Sequence, residues 1–209
     1  MAGLNIGEGA KEARGARLDK LAKAVRVLSV PPVLVGLLLT ALWIFSPSVF
    51  SGVWQPLVTL FGLAVVPALA YPLSMIPALR KGGRDAQRDL ALKLTTIGYV
   101  ISTVFCWISG GGSNLWLINL GYLFSIIVLL LLNKVFHLKA SGHACAITGP
   151  LIYAVIFFGW GFAPVCALLY ALIFWSSLRL ERHTPRDLLL GTLTACCALG
   201  IAAIIVSLF

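Results

Sequence analysis

Charge is scarce in this chain. Charged side chains make up 11% of 209 residues, and only seven are acidic, where a soluble domain carries about 25%. Too few polar side chains are present to cover a surface facing water, so lipid must be the solvent for most of the chain. The five cysteines, Cys106, Cys145, Cys166, Cys196 and Cys197, fall in or at the edge of apolar runs. They form no CxxC pair and no zinc-spaced set with the three histidines, so they read as small buried residues. Neither a metal nor a cofactor is expected. No internal repeat or low-complexity tract is evident. Gly110-Gly111-Gly112 lacks the Lys-Ser/Thr of a phosphate loop and reads as a tight turn.

What the chain has in abundance is apolar length. Hydrophobic residues make up 60%, gathered near 27–46, 54–79, 94–109, 114–133, 143–159, 162–177 and 188–209. A span needs about 20 residues, and a backbone in hydrocarbon must satisfy its own hydrogen bonds, so each stretch is expected to be a helix. The runs are continuous rather than alternating, which excludes a barrel. The fold class expected is all-α: a polytopic membrane protein of about seven transmembrane helices. Residues 1–26 form a polar N-terminal segment, unlike a cleavable signal, and residues 27–209 form the membrane domain.

The charges are distributed with strict alternation. The basic residues are Lys11, Arg14, Arg17, Lys20, Lys23 and Arg26; Arg80, Lys81, Arg84, Arg88 and Lys93; Lys134 and Lys139; and Arg179, Arg182 and Arg186. These are all 16 Lys and Arg of the chain, and the seven acids lie in the same four segments. The alternate connections, around Ser46–Pro56, Ser109–Asn114 and Gly159–Ala163, carry none. With seven spans, every charged segment shares one face, and the positive-inside rule puts that face and the N-terminus in the cytoplasm. A net charge of +9 in such segments points to anionic headgroups and phosphate rather than nucleic acid. Residues 11–28 carry Leu18, Leu21, Ala22, Val25 and Leu28 on one helical side, the pattern of a membrane-surface helix.

Three charged loops hold residues suited to phosphate. Lys81-Gly-Gly-Arg-Asp-Ala-Gln-Arg88 is a juxtamembrane cluster, and its guanidiniums can fork onto phosphate oxygens; such a cluster also serves as a topology signal. In Lys139-Ala-Ser141-Gly142-His143, Ser141 is placed to cap the following helix. The helix start then offers N–H groups to an anion, Gly142 allows close approach, and His143 can move a proton near neutral pH. The plainer reading is a capped helix with an interfacial histidine. In His183-Thr-Pro-Arg-Asp187, Thr184, Pro185 and Asp187 suit the N-cap, first and third helical positions. The i, i+4 spacing also lets Asp187 orient the His183 ring and hold its tautomer. His137 has no evident partner and is read as interfacial.

These residues resemble the type 2 phosphatidic acid phosphatase superfamily of membrane enzymes, whose motifs are Lys-x6-Arg-Pro, Pro-Ser-Gly-His and Ser-Arg-x5-His-x3-Asp. Lys81 and Arg88 keep the first spacing, with Asp89 in place of Pro; Ser141, Gly142 and His143 keep the second, with Ala140 in place of Pro. His183 and Asp187 keep the third, with Ser177 where Arg is expected. The resemblance covers roughly 54–209, so the first span is an addition to a six-helix phosphatase-type bundle. It implies that His183 attacks phosphorus, Asp187 orients it and His143 protonates the leaving oxygen. Lys81, Arg88, Ser141 and Gly142 would hold the phosphoryl oxygens without a metal. Arg179 and Arg182 lie near the missing arginine, and Arg179 is expected to supply its charge.

The function expected is hydrolysis of a lipid phosphate or diphosphate at the cytoplasmic face of a bacterial or archaeal inner membrane. Candidate substrates are phosphatidate, phosphatidylglycerophosphate and polyprenyl phosphates or diphosphates. The alternative is a non-catalytic relative that binds or scaffolds anionic lipid, which the departures at Asp89, Ala140 and Ser177 suggest. A transporter is disfavoured, because no ionisable residue lies well inside an apolar run.

Overall fold

The structure, a computed structural model, describes residues 4–76 and 83–208, apart from the side chains of residues 4–13 and Arg84. Lys81 and Gly82 therefore lie outside the described residues. The described chain is helical, with no strand. In order the helices are α1 (Leu4–Leu28), α2 (Pro31–Phe45), α3 (Trp54–Leu73), α4 (Gly83–Ile108), α5 (Ser113–Val135), α6 (Gly142–Phe158), α7 (Ala163–Arg179) and α8 (Pro185–Val206). Five helical rods are long and apolar enough to cross a membrane, beginning at Trp54, Asp85, Ser113, Trp160 and Pro185. A sixth arises if α1 and α2, bent by 52° at their junction, count as one broken span. Helix α6 is apolar but only 17 residues long.

Packing follows the rules of a lipid solvent, where small residues and interhelical hydrogen bonds replace hydrophobic burial as the drive for association. α8 packs on α5 and α6, α4 on α3 and α5, α2 on α3 and α6, and α7 on α6 and α1. Gly98 of α4 meets Gly62 of α3 backbone to backbone, since a Cβ on Gly98 would strike the Gly62 carbonyl. One turn further, Ser102 Oγ donates to Asn119 Oδ1 at 2.6 Å, and both residues are fully buried. Such a bond contributes about 0.6 kcal/mol in a bilayer, so it fixes register more than it adds stability. Tyr99, Tyr122 and Tyr153 pack across α4, α5 and α6, edge-to-face and tilted, with ring centroids 5.4 and 5.6 Å apart. A widened turn at Phe61–Val65 in α3 falls just before Pro67, where a ring without an N–H interrupts the regular ladder.

Two of the connections without charge meet at one end. Gln55 Nε2, at the start of α3, donates to the Ser109 carbonyl and hydroxyl, both at 3.2 Å, while its Oε1 accepts from Ser51 N–H at 2.8 Å. Gly110 turns the chain there with φ +63°, a left-handed conformation glycine adopts without a Cβ penalty.

Helix α1 differs from its expected face. The inward stripe is Leu18, Asp19, Ala22, Val25 and Arg26, followed by Ser29, whereas Leu21 and Leu28 are 52% and 74% exposed. The reason is tertiary. α1 docks along α7, and two polar contacts to α7, from Asp19 and Arg26, set its rotation. Polar residues therefore take part of the inner face that hydrophobic periodicity assigned to leucines.

Candidate functional site

The starts of α6 and α8 are capped by their own sequences. Ser141 is the N-cap of α6, and its Oγ accepts from Ala144 N–H at 3.2 Å. The N–H groups of Gly142 and His143 precede the first intrahelical acceptor, where a helix presents its positive dipole end. The turn before Ser141 is braced by Asn133. Its Nδ2 donates to the Leu129 carbonyl at 2.9 Å and the Ala140 carbonyl at 3.2 Å, and its Oδ1 accepts from Ala140 N–H at 3.1 Å. At α8 the capping box is complete: Asp187 N–H donates to Thr184 Oγ1 at 3.2 Å, and Thr184 N–H donates to Asp187 Oδ2 at 3.1 Å.

A backbone hydrogen bond joins the two caps. Ser141 N–H donates to the Asp187 carbonyl at 2.9 Å. One turn after Asp187, Gly191 lies against the Ser141 carbonyl, and a Cβ there would collide with it. Two helix starts more than forty positions apart in sequence are thereby held side by side, with His143 and His183 at their mouths. The His183 Nδ1 lies 4.0 Å from Asp187 Oδ2, with the two side chains 12% and 18% exposed. That is ion-pair range rather than a hydrogen bond, and the same Oδ2 serves the cap. The Nε2 of His143 is buried, with no hydrogen-bond partner among the described residues.

The third side of this end is the C-terminus of α7 with α1 laid across it. Ser176 and Ser177 are fully buried. Ser176 Oγ donates to the Ile173 carbonyl at 2.8 Å, and Ser177 Oγ accepts from Arg26 Nη1 at 3.2 Å. The Ser177 carbonyl also accepts from Arg182 N–H at 3.1 Å, while the Arg182 side chain is exposed. Arg179 is engaged elsewhere than expected: its Nε donates to Asp19 Oδ1 of α1 at 2.8 Å. The guanidinium in contact with Ser177, where the charge is missing, belongs to Arg26.

The sequence-predicted residues thus divide. Ser141, Gly142, His143, His183 and Asp187 come together. Arg88 does not join them through any described contact; it is exposed and reaches Asp85, one turn back on α4, at 4.0 Å. Asp89, in the position where proline was expected, pairs with Lys93 at 2.8 Å. His137 is exposed. Sequence reasoning missed Arg26 and Asn133. A signal for Arg26 existed: Asp19, Ala22 and Arg26 recur at helical spacing with Leu18, and a charge on the buried stripe of a helix needs a partner there.

No protein-family model, curated protein or solved structure matches the chain.

Proposed function

We propose that this chain is an integral membrane phosphatase for lipid phosphate esters, working through a phosphohistidine at His183. The hydrogen bond from Ser141 N–H to the Asp187 carbonyl carries the reading, because it sets two histidines at adjoining helix starts that suit an anion. The lipid's tail stays among the apolar helices while its headgroup reaches the charged end, which basic loops place in the cytoplasm.

In the first half-reaction His183 Nε2 forms a bond to phosphorus as the bond from phosphorus to the leaving oxygen breaks, and His143 gives that oxygen its proton. Water then attacks the phosphohistidine with His143 as base, orthophosphate departs, and His183 is restored. Asp187 faces His183 Nδ1 and stabilises the positive ring that phosphorylation creates; such contacts often tighten only when substrate binds. His143 gains its proton with the incoming anion, whose charge favours the protonated ring. The Gly142 and His143 N–H groups face the phosphoryl oxygens.

Purified protein in detergent with EDTA should release orthophosphate from at least one of phosphatidate, phosphatidylglycerophosphate, polyprenyl phosphate and polyprenyl diphosphate, and His183→Ala should abolish the release. If folded protein binds these lipids and releases nothing, the phosphatase reading fails. The second reading, a non-catalytic binder of anionic lipid, would then stand. The ion pairs that occupy Arg88 and Asp89 on the surface of α4 favour it.

A further inference from the structure

We infer that Arg26, carried on the N-terminal helix α1, is the guanidinium that binds the substrate's phosphoryl group at this site. The inference rests on the phosphatase reading for the substrate's class, but phosphate binding can be tested without turnover.

Four observations converge. Arg26 lies on the inward stripe of α1, unlike Arg14, Arg17, Lys20 and Lys23, which are exposed. Its Nη1 reaches across to Ser177 Oγ at 3.2 Å, a fully buried hydroxyl six residues before His183. That serine stands in the last turn of α7, and the backbone that follows it leads directly to His183. Two buried polar atoms, His143 Nε2 at the start of α6 and Ser29 Oγ just past the end of α1, have no hydrogen-bond partner among the described residues. Buried polar groups are nearly always paired, and an orthophosphate or phosphate ester offers acceptors to the ring N–H, the hydroxyl and the guanidinium together.

The position of α1 explains how a residue so remote in sequence is held there. The chain bends by 52° between α1 and α2, which lays α1 along α7. Asp19, two turns before Arg26, is clamped to Arg179 at 2.8 Å. Arg179 therefore acts as a positioning residue: it holds the helix that presents Arg26. The N-terminal segment becomes part of the binding site rather than a topology anchor alone.

The test measures binding of orthophosphate and of vanadate to the full chain in detergent, by phosphorus and vanadium NMR titration. The variants are Arg26→Ala, Arg88→Ala and Arg26→Ala combined with Ser177→Arg, which returns a guanidinium to the hydroxyl's own position. Arg26→Ala should weaken binding by roughly 10- to 100-fold, the scale of one hydrogen bond to a charged group. The double variant should recover most of the loss, and Arg88→Ala should bind as wild type does. Rescue by Ser177→Arg separates a phosphate contact from a packing role, because a helix that has merely come loose would not be restored by a charge on α7. Unchanged binding in Arg26→Ala, absent rescue in the folded double variant, or no binding by wild type would overturn the inference. Binding with these dependences but no hydrolysis of any lipid would uphold Arg26 and remove the phosphatase reading instead.

Discussion

Arg26 and Arg88 each stand within a few residues of an apolar span, in segments of one charge pattern, and they end up in opposite circumstances. Arg88 has a side chain 62% exposed and an ion-pair partner one turn away on its own helix. Arg26 is half-buried and bonds to a serine on a helix 151 positions distant. A local, exposed pair is screened by water and contributes little. A guanidinium drawn between elements loses hydration and acts strongly on its neighbours. Residue type and membrane face are shared; packing against a second element decides which cation belongs to a site.

Several substitutions sharpen or break that comparison. His183→Ala should lower turnover by at least about 10³-fold, since it removes the nucleophile of a unit whose parts act together; steady-state phosphate release checks this. His143→Gln should cost about 10²- to 10⁴-fold, the range for a positioned acid–base group, and most of that in kcat. Next comes Gly191→Ala, whose Cβ would meet the Ser141 carbonyl. It should destabilise the fold by about 1–3 kcal/mol in chemical unfolding and weaken activity by separating the two caps. Arg88→Ala should change phosphate release less than about fivefold, as exposed pairs contribute at most about 1 kcal/mol. A collapse of activity in Arg88→Ala would mean that α4 closes onto the site and would end the contrast drawn here.

How much of this was legible in the sequence depends on the range of each interaction. The helices were readable because continuous apolar runs have one solution in lipid. The Ser141 cap and the Thr184–Asp187 box were readable because each closes within three residues. Adjacency of the two caps was suggested by charge alternation, but the Ser141–Asp187 bond that realises it leaves no trace in residue type, since it uses backbone atoms. The inner face of α1 was read as Leu18, Leu21, Ala22, Val25 and Leu28; Leu18, Ala22 and Val25 do lie there, and the docking on α7 brings in Asp19 and Arg26 while Leu21 and Leu28 face outward. Arg179 was assigned to the site by proximity in sequence to His183, yet the last turn of α7 directs it to Asp19. The short length of α6 and the bend between α1 and α2 likewise follow from packing that periodicity does not encode.

The central claim is that His183, set beside His143 by the joined caps, carries phosphorus during turnover. The direct measurement is alkaline quench of purified protein turning over a lipid labelled in its phosphate, followed by mapping of the labelled peptide. The account predicts label on the peptide containing His183, chased by unlabelled substrate and absent in His183→Ala. Turnover with no label on His183, or label on another residue, would contradict it.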